Sequence, residues 1–324
     1  MEVKQKGLGF SLTKAGGDIL GVDDVQPEEL MKPLVAAIVV ALALLAPAHP
    51  DAQQAGRVTI LYDAFGRPSA LEKDWGFAAL VEYGGRRILF DTGNDAAIFA
   101  RNAKQLGVNL SRLDAAVISH RHGDHTTGLE VLIAANPKVP IYVPREGAFF
   151  KGAVPTEFLA PDPSLPPHMR YFDGNPPEGL RGGTPWSRGN FQISTQTTEI
   201  LPGFFVLTTR SDKPGTREMN EVSLAVRTPQ GLAVIVGCSH PGVEKILETA
   251  AQIDTRLYTA IGGFHLVQAP HNEIERVAGL LHDTLKLQRV APGHCTSEAG
   301  FSAFMRRFGD RFDKAGLGAR VPLP

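Results

Sequence analysis

The sequence predicts a mixed α/β or α+β domain. Three observations carry that expectation. Short β-branched, apolar segments recur through most of the chain, and segments with the helical spacing of apolar residues fall between them. Two of the short segments, 77–83 and 86–91, are separated only by Gly84-Gly85, a hairpin turn pair. Leu232-Ala233-Val234-Ile235-Val236 is apolar throughout, as a strand covered on both faces should be.

The chain has 324 residues, 43% of them hydrophobic, which leaves room for one domain of roughly 250 residues plus extensions. A formal net charge of −1 gives no electrostatic case for nucleic acid or an anionic membrane surface. Residues 1–30 are polar and show no clear hydrophobic period. Met31-Lys32 then opens a positive segment, followed by thirteen apolar residues at 34–46 and small residues at Ala46-Pro47-Ala48. This has the form of a secretory signal peptide over 31–52, with Met31 as the expected natural start and 1–30 as a non-native extension. Thirteen residues span only about 20 Å as a helix, short of the roughly 20 residues of a transmembrane span. An uncleaved anchor or a buried helix is the alternative. A cleaved leader implies a periplasmic or secreted protein with no stable membrane association.

A single domain is expected over 53–324. Strands are expected at 57–63, 77–83, 86–91, 114–119 and 140–143, with helices at 95–106 and 128–135, the latter ended by Asn136-Pro137. Residues 144–190 are rich in Pro and Gly and read as a long surface insertion. Its aromatics Phe149, Phe150, Tyr171, Phe172 and Trp186 either wall a pocket or pack within the loop. Strands follow at 191–195, 203–209, 221–227, 232–236, 257–261 and 290–291, with helices to Ala251, at 271–285 and at 297–307.

The chemistry concentrates after the strand at 114–119. His120, His122, Asp124 and His125 fall within six residues, in a chain with ten histidines. Strand, tight loop, then helix points several donors at one place. Imidazole with carboxylate suits zinc, iron or manganese. His120 and His122 can face one ion, and Asp124 and His125 a second. Further histidines stand at strand ends, in Gly237-Cys238-Ser239-His240-Pro241-Gly242, Gly262-Gly263-Phe264-His265-Leu266 and Pro292-Gly293-His294-Cys295-Thr296. Both cysteines lie in these motifs. Metal chemistry is therefore the natural reading over a disulfide framework, although the two can pair under oxidising conditions.

The run H-x-H-x-D-H at 120–125 resembles the signature of the metallo-β-lactamase-fold superfamily of metal-dependent hydrolases. Leu89-Phe90-Asp91-Thr92-Gly93 and the three later motifs are similar to its dihydropteroate-synthase-like, or ribofuranosyl-aminobenzene-phosphate-synthase-like, branch. The resemblance covers about residues 57–310. It implies a four-layer αββα sandwich with the metal ligands at strand ends along one edge.

The expected ligand set is His120, His122, Asp124, His125, Cys238, His240 and His294, holding Zn2+, two ions, with Fe or Mn as alternatives. The wider superfamily takes its third histidine from the interval where this chain offers only His168. His240, which ends a buried strand, is preferred. Cys238 stands where the superfamily often has a bridging Asp, and either ligates or lies beside the site. Asp91 is expected to orient a ligand, or to cap a turn, and not to bind metal. Glu221 is a candidate for similar support. Asp124 and His265 are the candidate catalytic groups, the first handling the proton of the attacking water and the second acting as general acid. A core role for His265 stays open. Cys295 reads as packing, and His49, His168, His271 and His282 as surface residues.

The expected function is hydrolysis of an ester, lactone or phosphodiester in a small-molecule substrate. The alternatives are the pterin-related synthase activity of the branch, a mononuclear iron oxygenase or redox protein, and a non-catalytic binding protein. No G-x-S-x-G elbow or P-loop is present, which disfavours a serine hydrolase or an NTPase.

Overall fold

The structure is a computed structural model that describes residues 56–146, 152–153, 162–177, 181–182, 188–213 and 219–324, together with Ser11. The chain divides into two units, Met1–Ala52 and Gln53–Pro324. Apart from Ser11, the extension and leader expected at 1–52 lie outside the described residues. No described helix is long and apolar enough to cross a membrane.

In the second unit, strands β1 (Gly56–Tyr62), β2 (Ala78–Tyr83) and β3 (Arg86–Phe90) precede helix α1 (Ala96–Gln105) and β4 (Ala115–Val117). A one-turn helix α2 (Gly123–Thr126), helix α3 (Leu129–Ala135), β5 (Pro140–Pro144) and β6 (Asn190–Ser194) complete the first half. The second half runs β7 (Thr198–Leu201), β8 (Phe204–Arg210), β9 (Asn220–Thr228), β10 (Gly231–Val236) and α4 (Val243–Ala251). It continues through β11 (Leu257–Gly263), α5 (His271–Gly279), β12 (Arg289–Gly293), α6 (Glu298–Phe308) and β13 (Arg320–Leu323). One sheet has the order β13-β1-β2-β3-β4-β5-β6, and the other β12-β11-β10-β9-β8-β7.

The period of two along the strands builds the layers. In the first sheet Ala79, Val81, Ile88, Phe90, Ala115 and Val117 turn one way, and Leu80, Leu89, Ala116 and Ile118 the other. In the second, Val222, Leu224, Val226, Ala233 and Ile235 join the former set, while Leu232, Val234 and Val236 face away. The central cluster thus lies between the two sheets. Phe99, Leu129, Leu132 and Ile133 of α1 and α3 cover the outside of the first sheet. Ile246, Leu247, Ile274, Val277 and Phe304 of α4, α5 and α6 cover the second. Three apolar interfaces between helix, sheet, sheet and helix make the four-layer αββα sandwich the sequence led us to expect. Every residue of β10 is buried, as its unbroken apolar run requires.

The differences are local. β7 and β13 were not expected. β7 is a four-residue edge strand, and β13 is four residues long with Pro322 in it, so neither has enough alternating apolar residues to stand out. The helix expected over 271–285 is α5 followed by a π-helical turn at Leu280–Thr284, with Gly279 at the junction. Within the Pro- and Gly-rich insertion, 152–153 pairs with 181–182, and Tyr171 and Phe172 are exposed. Phe149, Phe150 and Trp186 lie outside the described residues.

Candidate metal centre

β10, β11 and β12 run parallel, so Cys238 and His240, His265, and His294 leave the same edge of the second sheet. β3 and β4 are parallel in the first sheet, which places Asp91 beside the segment that carries His120. The loop after β4 turns through α2 and is pinned from both sides. Phe77 N–H donates to Asp124 O at 3.1 Å, and Thr92 N–H to His125 O at 2.9 Å. Val222 N–H donates to Ser119 O at 2.8 Å and ties the loop to the other sheet.

Two donor groups result. His120, His122 and His240 form one, and Asp124, His125, Cys238 and His294 the other, with the ligand atoms of each group within 4.8 Å of one another. All seven residues expected as ligands are thereby brought to one edge. His265 adjoins them, with its ring centroid 4.4 Å from that of His240. It also forms an overlapping group with Cys238 and His240. His168 is exposed and belongs to no such group among the described residues. His271 is exposed and His282 half-buried.

Buried carboxylates set the imidazole tautomers. Asp91 Oδ2 accepts from His125 Nδ1 at 2.7 Å and from Ser119 Oγ at 2.7 Å, while Oδ1 accepts from Ser119 N–H at 2.7 Å. Having given its proton to Asp91, Ser119 Oγ accepts from His120 Nδ1 at 2.8 Å. Glu221 accepts from His240 Nδ1 at 3.0 Å and from the backbone N–H groups of Ser239 and His240 at 2.7 and 2.9 Å. In its neutral form each of the three imidazoles therefore turns its Nε2 lone pair toward the site.

The donor set fits a cation. His120 Nε2 is buried with no hydrogen-bond partner. His125 Nε2 lies 3.2 Å from His294 Nε2 and 3.2 Å from Cys238 Sγ, and Asp124 Oδ2 is 3.4 Å from His294 Nε2. Burial, then neighbouring imidazoles, push His120 well down and His122 down to about 4, so both are neutral as metal binding requires. Burial opposes charge on His125, but the Asp91 carboxylate outweighs it and pushes the imidazole up to about 9. A proton and a metal ion thus compete for one Nε2 in a field that favours positive charge. Burial also opposes charge on Asp124 and Glu221. Hydrogen bonds from His294 and His240 respectively prevail and hold both carboxyls below the usual range. A side-chain hydrogen bond to Cys295 raises His265.

The backbone is strained at the same edge. Asp91, Ser239, His265 and His294 take left-handed φ of 56°, 64°, 50° and 45°. Such conformations cost on the order of 1 kcal/mol or more each, and cluster where a site over-determines them. Gly237 is needed because a Cβ there would meet Ser119 Oγ at 2.1 Å and Asp91 Oδ2 at 3.2 Å.

Three contributors were not foreseen. Ser119 relays Asp91 to His120. Asp63, at the end of β1, accepts His294 N–H at 3.0 Å, and burial pushes its carboxyl up to about 8. Trp75 is 45% exposed, with its ring centroid 5.1 Å from that of His294. Adjacency to His120 was the one sequence signal for Ser119; Asp63 and Trp75 reach the site only through the fold.

A four-layer sandwich with two histidine-rich donor groups at one edge defines a class of metal-site αββα proteins. The metallo-beta-lactamase superfamily matches residues 76–208, which include the His120–His125 loop. The chain is 28% identical to the 7,8-dihydropterin-6-methyl-4-(β-D-ribofuranosyl)-aminobenzene-5′-phosphate synthase of Methanocaldococcus jannaschii, over 79% of this chain and 92% of that protein. It is 25% identical to the uncharacterized protein MJ0448 of the same organism, over 71% of this chain and 86% of that one. The crystal structure of Tm1679, a metal-dependent hydrolase of the β-lactamase superfamily, superimposes with a TM-score of 0.60 at 25% identity, covering 82% of this chain and 98% of that one. The chain has the metallo-β-lactamase fold, and over residues 76–208 it is similar to the metallo-β-lactamase superfamily.

Proposed function

We propose that the protein is a metal-dependent hydrolase that cleaves an ester, lactone or phosphodiester bond in a small molecule. The observation that carries this reading is the convergence of His120, His122 and His240 beside Asp124, His125, Cys238 and His294, with His120 Nε2 buried and unpaired. Three imidazoles with an open position are the donor set of catalytic zinc, and we assign Zn2+ to both groups, with Fe or Mn as alternatives. A bound ion of this kind would supply Lewis acidity, lowering the pKa of water to about 7.

The chain's own groups do the rest. Asp124, half-buried and held anionic, takes the proton of the attacking water. His265 is exposed at the edge of the site, and the neighbouring Cys295 side chain favours the protonated ring. It donates that proton to the leaving group. Trp75 offers an apolar face to the substrate beside His294. The turn that carries it is fixed, since Tyr62 Oη donates to Asp74 and a Cβ on Gly76 would meet Asp124 O at 2.6 Å. Trp75→Ala should raise KM about tenfold and leave kcat within a factor of two, as loss of binding shared by ground and transition states does. Steady-state kinetics on the best substrate checks this.

The test of the reading is elemental analysis of the purified protein together with turnover on a panel of esters, lactones and phosphodiesters. One to two zinc per chain with turnover is the expected result. A second reading is favoured by the similarity to the M. jannaschii synthase. Formation of the product that relative is named for, without hydrolysis of the panel, would select it. Iron with oxygen consumption would select an oxygenase. The leader expected at 31–52 supports a site of action outside the cytosol.

A further inference from the structure

A second cavity, of about 890 Å³, shares no lining residue with the donor groups. It lies between the loop after β1, the C-terminal end of α1, helix α6 and the segment 312–320. Its walls are apolar, built from Phe65, Leu71, Leu106, Phe301, Met305 and Leu317. Among the described residues, the charged ones that line it are Arg67, Lys314 and Arg320, all cationic and all exposed, and none is acidic. None of the three pairs with a carboxylate among the described residues, whereas Arg289, Arg306 and Arg307 on the neighbouring elements all do.

The wall is already built. Leu317 N–H donates to Phe65 O at 2.7 Å, and the Phe65 and Phe301 rings lie with centroids 4.8 Å apart. The two backbones cross at glycines: a Cβ on Gly316 would meet Gly66 Cα at 2.7 Å, and one on Gly66 would meet Leu317 N and O at 2.8 Å. A ligand entering here orders little new chain, which is the main cost that a pre-formed site avoids. The volume is that of a small-molecule site.

We propose that this cavity binds a free amphipathic anion, with an apolar chain or fused-ring body against the walls and one carboxylate, phosphate or sulfonate among Arg67, Lys314 and Arg320. Apolar burial supplies the affinity, and the cations, each without a carboxylate partner among the described residues, select the sign of the head group. The inference does not depend on the reaction at the metal centre.

Isothermal titration of the full-length protein with dodecanoate tests it, with dodecyltrimethylammonium as the cationic control. The expected result is saturable one-to-one binding, at least tenfold tighter than the control. Arg67→Glu, Lys314→Glu and Arg320→Glu are exposed changes and should each leave the melting temperature in place. Combined, they should weaken binding at least tenfold. Met305→Trp, which fills the cavity, should do the same without altering charge. His122→Ala and treatment with a chelator should leave the affinity unchanged. Equal affinity for the cationic control, absence of saturable binding, or loss of binding in His122→Ala, which would place the probe at the metal centre, would each overturn the proposal. Binding to phosphatidylglycerol vesicles with no uptake of free dodecanoate would overturn it too, in favour of a membrane surface.

Discussion

Replacing His122 with alanine should remove bound metal and turnover together. The His122 ring packs edge-on against His120 and His240, with centroids 4.7 and 4.8 Å away, and is the only partly exposed imidazole of that group. Its loss leaves two donors where a catalytic ion needs three. Water at the site then returns toward its ordinary acidity, and the rate should fall on the order of a thousandfold or more. Because the ring is not part of the apolar clusters, the metal-free variant should melt where the metal-free parent does. Metal content by elemental analysis, turnover and a melting curve are the three measurements. Full activity with metal intact would mean that the site has been assigned to the wrong residues.

Asp91→Asn is expected to act more deeply, through orientation. The carboxylate accepts three hydrogen bonds, two from Ser119 and one from His125 Nδ1. An amide can keep the bond from Ser119 N–H only by turning its NH2 toward Ser119 Oγ and His125 Nδ1. The His125 proton then moves to Nε2, the atom that faces Cys238 and His294, and blocks it as a ligand. Ser119 also loses the acceptor that makes its own oxygen available to His120 Nδ1. Metal affinity should drop by roughly 10–100-fold, as when other buried partners of ligands are removed. Stability should fall by about 3 kcal/mol for breaking a buried, charge-assisted network. Competition with a chromophoric chelator and a denaturant titration separate the two effects. Unchanged affinity would show that Asp91 serves the fold alone.

The mixed α/β class was legible in the sequence because alternation within strands and glycine-bounded strand ends are local signals, whereas the four-layer order came only with the family resemblance. The donors could be read for the same reason: His120 to His125 are contiguous, and His240, His265 and His294 each end a strand of the second half. What escaped was non-local or short. Asp63 meets His294 across 231 residues of chain. Trp75 is one aromatic in a loop until the fold sets it beside His294. Ser119 looks like an ordinary strand-end hydroxyl, and its importance depends on Asp91 arriving from β3. The edge strands β7 and β13 are too short to declare themselves. α2 is a single turn whose residues are chosen for donor geometry more than for helix propensity, with Gly123 and Asp124 in its first turn.

Neither half of the sandwich owns a complete donor group. His120 and His122 come from one sheet and His240 from the other; Asp124 and His125 face Cys238 and His294 in the same way. A captured ion is therefore a clasp across the seam between the sheets. At free metal a hundred times the dissociation constant it would add about 2.7 kcal/mol to the folded state, so withdrawing it should lower the melting temperature. Isolated halves would hold no ion tightly, so assembly of the molecule and loading of its metal form one coupled equilibrium.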